Sequence, residues 1–264
     1  MSDEKYFALE FRHLSFAYPV FRRRANGNGE GTAAGLHDVS FHIAPGETVA
    51  IAGPTGSGKS TVAQLLWRRY PVPDDSMFLG GADANHSRVT EWRARFALVS
   101  QESFLFSDTV RANINLAGRL SGTDDLQRVG QRAALDKDVS DFPKGYDTIV
   151  GERGITLSGG QKQRVTLARA LASEADVLVL DDAFSAVDAQ TEREIMDELE
   201  AHFGQRIIIL ITHRLAALQR VDRILFFEHG RLVDSGSHEQ LLAHDSAYAK
   251  WVAREALIEE LEEL

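Results

Sequence analysis

Residues 48–61 read Thr48-Val49-Ala50-Ile51-Ala52-Gly53-Pro54-Thr55-Gly56-Ser57-Gly58-Lys59-Ser60-Thr61. Thr48 to Ala52 has the length and apolar character of a short buried strand. Helical periodicity begins at Lys59 and carries through Tyr70. The loop between them fits the pattern G-x-x-x-x-G-K-[ST] in full. Each residue type has a physical use there. Glycines let backbone N–H groups converge on phosphate oxygens without Cβ clashes. The start of the helix adds partial positive charge. Lys59 brings a full charge to the β- and γ-phosphates of a nucleotide, and Ser60 offers a hydroxyl to Mg²⁺. An ordinary Gly/Ser loop would not need a strand before it and a helix behind it.

Outward from this loop, strands and helices alternate. Phe7 to Tyr18 and Leu36 to Ile43 read as strands flanking an exposed hairpin loop, Arg22 to Gly35, which is polar and rich in Gly and Arg. Phe96 to Val99, Val177 to Leu180 and Ile207 to Ile211 are strands, the last two fully apolar. Ile224 to Phe227 and Arg231 to Ser235 form a closing hairpin across Glu228-His229-Gly230. Such alternation predicts a mainly parallel sheet covered on both faces, an α/β fold. From about Ser107 to Ala172 the pattern is helical and amphipathic, which predicts an inserted helical lobe. A last helix is expected from His238 to Leu264.

The bulk composition excludes several classes. The chain has 264 residues, 44% of them hydrophobic, enough for a sizeable core. Acidic residues number 39 against 29 basic, a formal charge of -10, which argues against a nucleic-acid partner. With no cysteine, neither a disulfide framework nor a thiolate metal site is possible. No stretch reaches the roughly 18–20 apolar residues that span a bilayer. Met1 to Lys5 lacks the pattern of a secretory leader. The expectation is a soluble chain that would need a partner to work at a membrane.

The residues that narrow the function are Leu157-Ser158-Gly159-Gly160-Gln161-Lys162-Gln163-Arg164. They form a second glycine-rich helix start, opening the helix Gln161 to Ala172. A helix cap alone would account for Ser-Gly-Gly but not for Gln161, Gln163 and Arg164 behind it. LSGGQ followed by KQR resembles the signature of the ATP-binding cassette (ABC) ATPases. The likeness covers about Phe7 to Leu242. It implies a P-loop NTPase (RecA-like) core with an N-terminal antiparallel β subdomain and an inserted helical subdomain at about 107–172. The cassette would span 7–242, and 243–264 would be a C-terminal helix.

The resemblance also implies roles. Two cassettes pair head to tail, so Ser158, Gly159, Gly160 and Gln161 would bind the nucleotide of a second chain, in trans. In cis, ATP would lie on Gly53, Pro54, Thr55, Gly56, Ser57, Gly58, Lys59, Ser60 and Thr61, with Tyr18 stacked on adenine. Val177-Leu178-Val179-Leu180-Asp181-Asp182 resembles the Walker B strand, and Asp181 would hold Mg²⁺ through water, with Ser60 and Gln101 as further metal contacts. Gln101 falls on the Q-loop, Asp188 on the D-loop and His213 on the switch histidine. Gly151-Glu152-Arg153-Gly154 resembles the X-loop of exporter cassettes. With Gln101 to Ser107 it would contact the transmembrane domain of an exporter. The cassette would then sit on the cytoplasmic face of the plasma membrane.

One position departs from the family pattern. The residue after the Walker B aspartate is usually glutamate, which orients the attacking water; here it is Asp182. Aspartate is one methylene shorter, about 1.5 Å, and a misplacement near 1 Å costs about 10²-fold in rate. Lys59, Gln101, Asp182 and His213 are the expected catalytic set, with slow hydrolysis. Asp182 with an intact signature resembles one half of a heterodimeric bacterial exporter of the multidrug-resistance-like type. A hydrolytically weak regulatory ATP-binding subunit is the alternative. The DNA-acting members with a long coiled coil are disfavoured, because Lys59 and Ser158 are joined by a compact segment.

Overall fold

The computed structural model describes residues 8–19, 35–151, 154–202, 204 and 206–262. Phe7, Arg22 to Ala34 of the expected hairpin loop, Glu152, Arg153, Glu263 and Leu264 lie outside the described residues. The chain divides into two compact units, Met1–Arg93 with Ile211–Leu264, and Ala94–Leu210.

The first unit opens with β1 (Leu9–Ala17), β2 (Gly35–Ile43), β3 (Thr48–Ala52), α1 (Lys59–Leu66), β4 (Met77–Leu79), β5 (Ala82–Asp83) and α2 (Val89–Arg93). The second contains β6 (Phe96–Val99), α3 (Val110–Ile114), α4 (Thr123–Arg132), α5 (Asp136–Asp141), α6 (Gly159–Leu171), β7 (Val177–Asp181), α7 (Ala189–His202) and nearly all of β8 (Ile207–Ile211). The chain then returns to the first unit through α8 (Leu215–Leu218), β9 (Arg223–Glu228), β10 (Arg231–Gly236), α9 (His238–Leu242) and α10 (Ala247–Glu262).

In the first unit, β1 pairs antiparallel with β2 and β4, giving the order β2-β1-β4-β5. Leu9, Phe11 and Leu14 of β1 and Leu36, Val39 and Ile43 of β2 are buried. Their spacing skips one residue in each strand. Register shifts on either side of Leu14 explain it, and His13 and Asp38 have φ of 44° and 54°. The bulges turn a broken alternation into one continuous buried face. β4 and β5 have no counterpart in the sequence reading; strands this short carry too few residues for a period to show. The same unit carries β3 parallel to β9, and β9 antiparallel to β10.

In the second unit β6 and β7 run parallel, with Val99 opposite Leu180. Their residues are mostly buried on both faces, as a covered parallel sheet requires. α3 to α6 occupy 110–171, within the stretch of helical pattern. α6 starts at Gly159, two residues earlier than the sequence suggests, because Ser158 caps it.

Two helical expectations need correction. The helix from Lys59 stops at Leu66, not Tyr70, and Arg68 then takes φ 48°. The C-terminal helix is two helices, α9 and α10, not a single run from His238 or a helix beginning at 243. Ser246 makes the break: its Oγ accepts from Ala249 N–H at 2.9 Å and donates to Leu241 O at 2.8 Å. Among the described residues no helix is long and apolar enough to cross a membrane.

Candidate nucleotide site and signature helix

In the first unit, the phosphate-type loop leaves β3 between two constraints. At Gly53 φ is 142°, and a Cβ there would fall 2.1 Å from the carbonyl oxygen of Phe227. Only glycine can turn this tightly under β9. Ser57 N–H then donates to Pro54 O at 3.1 Å, closing the turn. Gly230 N–H donates to Ser57 O at 2.9 Å, so the β9–β10 hairpin braces the loop from behind. Lys59 Nζ donates to Gly53 O at 2.7 Å and Pro54 O at 3.0 Å. Its charge is therefore held over the loop. The N-cap of α1 is Gly58, with φ 109° and no side-chain cap.

These features fit a nucleotide triphosphate. The first turn of α1 has no side chain closing its amides, which is what an anion site at a helix start needs. Ser57 Oγ is buried and has no hydrogen-bond partner among the described residues. Gly56 has open space where a Cβ would stand. A cleft of about 400 Å³ lies over the loop, lined by residues including Tyr18, His37, Lys59, Ser60 and His229. Among the described residues no group of three or more His, Asp or Glu side chains could cage a metal. A Mg²⁺ ion would need only one or two protein groups here, since it completes its shell with phosphate oxygens and water.

Tyr18 reaches the cleft from the end of β1. Its hydroxyl lies 3.0 Å from Thr61 Oγ1 and 3.4 Å from Gln64 Oε1. Edge-on contacts with Phe16 at 5.0 Å and Tyr70 at 5.2 Å hold the ring. His213 belongs to the same unit and is exposed just beyond β8. Its neighbour Thr212 donates to Ile51 O at 3.4 Å, two residues before Gly53. His37 and His229 also line the cleft. Sequence does not single them out; a strand histidine and a turn histidine carry no motif.

In the second unit the register of β6 and β7 puts Gln101 and Asp181 at the same strand ends, beyond the Val99–Leu180 pair. Asp182 follows with φ 48°, left-handed backbone that aspartate tolerates better than most residues. Ser185 N–H donates to Asp182 O at 3.1 Å, closing the turn. The side chain of Gln163 spans this turn, donating to Ser185 Oγ at 2.7 Å and accepting from Ala186 N–H at 3.0 Å. Gln163 thus ties α6 to the loop after β7.

The signature opens α6 with a reciprocal cap. Ser158 Oγ accepts from Gln161 N–H at 3.2 Å, and Gln161 Oε1 accepts from Ser158 N–H at 3.0 Å. Gly160 lies against the same loop as Gln163: a Cβ would be 2.6 Å from Ala186 O. Its need for glycine is thus partly a packing need. Asp188 starts the next helix, accepting from the N–H groups of Gln190 at 3.0 Å and Thr191 at 2.9 Å, and from the Thr191 hydroxyl at 2.7 Å. The Thr191 backbone bond, then its hydroxyl, push the Asp188 carboxyl down to about 2.

The two stretches expected to face a membrane domain are adjacent in this unit. Val150 N–H donates to Asp108 O at 2.9 Å, and a Cβ on Gly151 would sit 3.2 Å from Ser107 Cα. Phe104, Phe106 and Ile149 are exposed there. Arg169 of α6 fixes this surface from below, donating to Phe104 O at 3.1 Å and Asn113 O at 2.7 Å. Asn113 in turn exchanges bonds with the Phe106 backbone, at 2.8 and 3.0 Å. Arg169 and Asn113 escape a reading of the sequence because they belong to no short motif.

Comparison with known proteins identifies the family. The family profile described as "ABC transporter" matches residues 36–185. The ATP-dependent lipid A-core flippase of Burkholderia pseudomallei (strain 1710b) is 41% identical over 242 residues, 92% of this chain and 39% of that protein. The "Probable multidrug resistance ABC transporter ATP-binding/permease protein YheI" of Bacillus subtilis (strain 168) is 38% identical over 250 residues, 94% of this chain and 41% of that one. A solved structure of a bacterial Atm1-family ABC exporter with ATP bound superposes with a TM-score of 0.85 at 39% identity, covering 95% of this chain and 42% of that chain. The chain thus spans about two fifths of the length of the curated relatives it matches. With a P-loop NTPase fold, a phosphate-type loop, a signature helix and a profile match over more than half its length, the chain belongs to the ABC transporter family.

Proposed function

We propose that this chain is the nucleotide-binding domain of an exporter, holding Mg-ATP between itself and a second cassette and passing the closure of that pair to a membrane domain. The observation that carries this reading is the presence of two phosphate-type helix starts in one chain, one at α1 and one at α6. The first would take the triphosphate in cis, with Lys59 on the β- and γ-phosphates, Ser60 toward Mg²⁺ and Tyr18 on the base. His213 would meet the γ-phosphate. The second, Ser158 to Gly160, would meet the γ-phosphate held by a partner cassette. Bound metal would neutralise phosphate charge as the leaving group departs. ATP favours closure because ADP lacks the phosphate both cassettes hold.

The membrane domain would dock on Phe104, Phe106 and Ile149, with Gln101–Ser107 and Gly151–Gly154. The cassette would then lie on the cytoplasmic face of the plasma membrane. Asp182 would turn over ATP slowly, so the chain would serve as the slower half of a heterodimeric pair; carrying both a phosphate loop and a signature, two copies of it would also pair in ATP when the other cassette is absent. The glutamate of the faster site would then come from the other cassette.

Sedimentation velocity of the purified chain in Mg-ATP, against Ser158→Arg, tests the pairing. The reading predicts ATP-dependent dimers for the wild type and monomers for the variant, with fluorescent-ATP binding kept in both. A variant that dimerises like the wild type contradicts it.

A further inference from the structure

The start of α6 is held by more than its own cap. Gln161 uses both ends of its amide: Oε1 accepts from Ser158 N–H at 3.0 Å, and Nε2 donates to Asp138 Oδ1 at 3.2 Å. Asp138 also receives Arg164 Nε at 2.7 Å and Nη2 at 2.9 Å, a two-point pair. Both charged side chains are only 14% exposed. One carboxylate of α5 thus gathers three N–H donors from two residues on one face of α6. A flipped Gln161 amide would oppose its NH₂ to Ser158 N–H and its oxygen to the carboxylate. Both contacts would repel, so the orientation is fixed.

The Gln161 amide is thus engaged at both ends. Ser158 Oγ accepts from Gln161 N–H but keeps its own hydroxyl proton to donate. Buried ion pairs add little stability compared with well-packed apolar residues, and their best-attested use is to fix geometry. Nothing in the helix propensity of α6 calls for an acidic partner on α5.

We propose that Asp138 is a positioning residue for the signature: through Gln161 and Arg164 it holds Ser158 and the Gly159–Gly160 amides in the geometry that grips the nucleotide of a partner cassette. This rests on the two-cassette reading above. The ligand gripped is the γ-phosphate of that partner's ATP, and Gln161 acts through Ser158 rather than by contact.

The test compares ATP-driven pairing of Asp138→Asn and the double variant Asp138→Leu/Arg164→Met with the wild type and Ser158→Arg. Binding of a fluorescent ATP by the monomer and melting temperature are measured alongside. The apolar pair keeps the volume of the ion pair, so the fold should hold. Expected are monomer ATP affinity within about twofold of wild type and pairing weakened about 10-fold or more, the scale of one hydrogen bond to a charged group. Asp138→Asn, which keeps the shape, should lose part of the pairing without a change in melting temperature. It decides the matter if the double variant melts early. Wild-type pairing in either stable Asp138 variant overturns the inference. If those variants pair but Ser158→Arg does not, only the inference falls. If the wild type stays monomeric in saturating Mg-ATP, or Ser158→Arg pairs normally, the two-cassette reading falls and takes this one with it.

Discussion

The helix starts at α1 and α6 use the same small residues to opposite ends. At α1 the cap is Gly58, and among the described residues no side chain caps the first turn and buried Ser57 Oγ has no partner. At α6 the side chains are tied: Ser158 and Gln161 cap each other, Gln161 reaches Asp138, and Gly160 packs against the Ala186 backbone. The first is a cradle with its ligand's places left open. The second is braced by its own side chains, a rigid tip with a hydroxyl still able to donate. Glycine-rich sequence alone does not distinguish these. The difference lies in whether a side chain caps the helix start.

The largest break in this comparison should come from Lys59. Lys59→Ala should weaken ATP binding by about 10²-fold, because it strands phosphate charge in a site built around that ammonium. Calorimetric titration with Mg-ATP would show it, with the melting temperature little changed. Equal affinity would mean that the cleft over α1 is not the nucleotide site.

Gly160→Ala should act on the other helix start, and on stability instead of affinity. The added methyl would press on the backbone at Ala186 and cost about 1–3 kcal/mol by overpacking. Chemical denaturation should register that loss while ATP affinity in cis stays put. A stable Gly160→Ala chain would show that the loop after β7 can yield, and would weaken the picture of a rigid tip.

The smallest effect is electrostatic and sits at Asp188. Its carboxyl is pushed down to about 2 from the usual 3.8, so it stays charged in the fold where the unfolded chain would protonate. The resulting stability is fully present well above pH 3.8 and fades as pH falls from there through about 2. Asp188→Asn keeps a capping oxygen but cannot titrate. Its melting temperature should fall less steeply than the wild type's over that range, by about 2–4 °C or less. Parallel curves would remove Asp188 as a contributor.

Much of this molecule is legible in its residues, for physical reasons. The strand-loop-helix around Gly53 is readable because β3 is apolar and short and the loop pattern is dense. The ends of β3, β6 and β8 fall where the apolar runs stop. The bulges at His13 and Asp38 are not readable, since one extra residue in a strand looks like imperfect alternation. The stop of α1 at Leu66 is hidden because apolar spacing carries on past it while Arg68 turns left-handed. Ser246 looks like one more polar helix residue until its hydroxyl is seen bonded forward and back. In the site, the motif residues announce themselves, but their supports do not. Asp138, Asn113 and Arg169 lie outside any motif and act through side-chain contacts.

The expectation of slow hydrolysis rests on Asp182. Its carboxylate is one methylene short of the usual glutamate, and its backbone has φ 48°, which aspartate accepts more readily. Steady-state ATP hydrolysis by the wild type against Asp182→Glu, with ATP binding checked in both, tests this directly. The predicted result is equal binding, slow wild-type turnover and a rate about 10²-fold higher in the glutamate variant. A wild type that already turns over as fast as Asp182→Glu would contradict it, leaving a cassette whose shorter carboxylate hydrolyses ATP unaided.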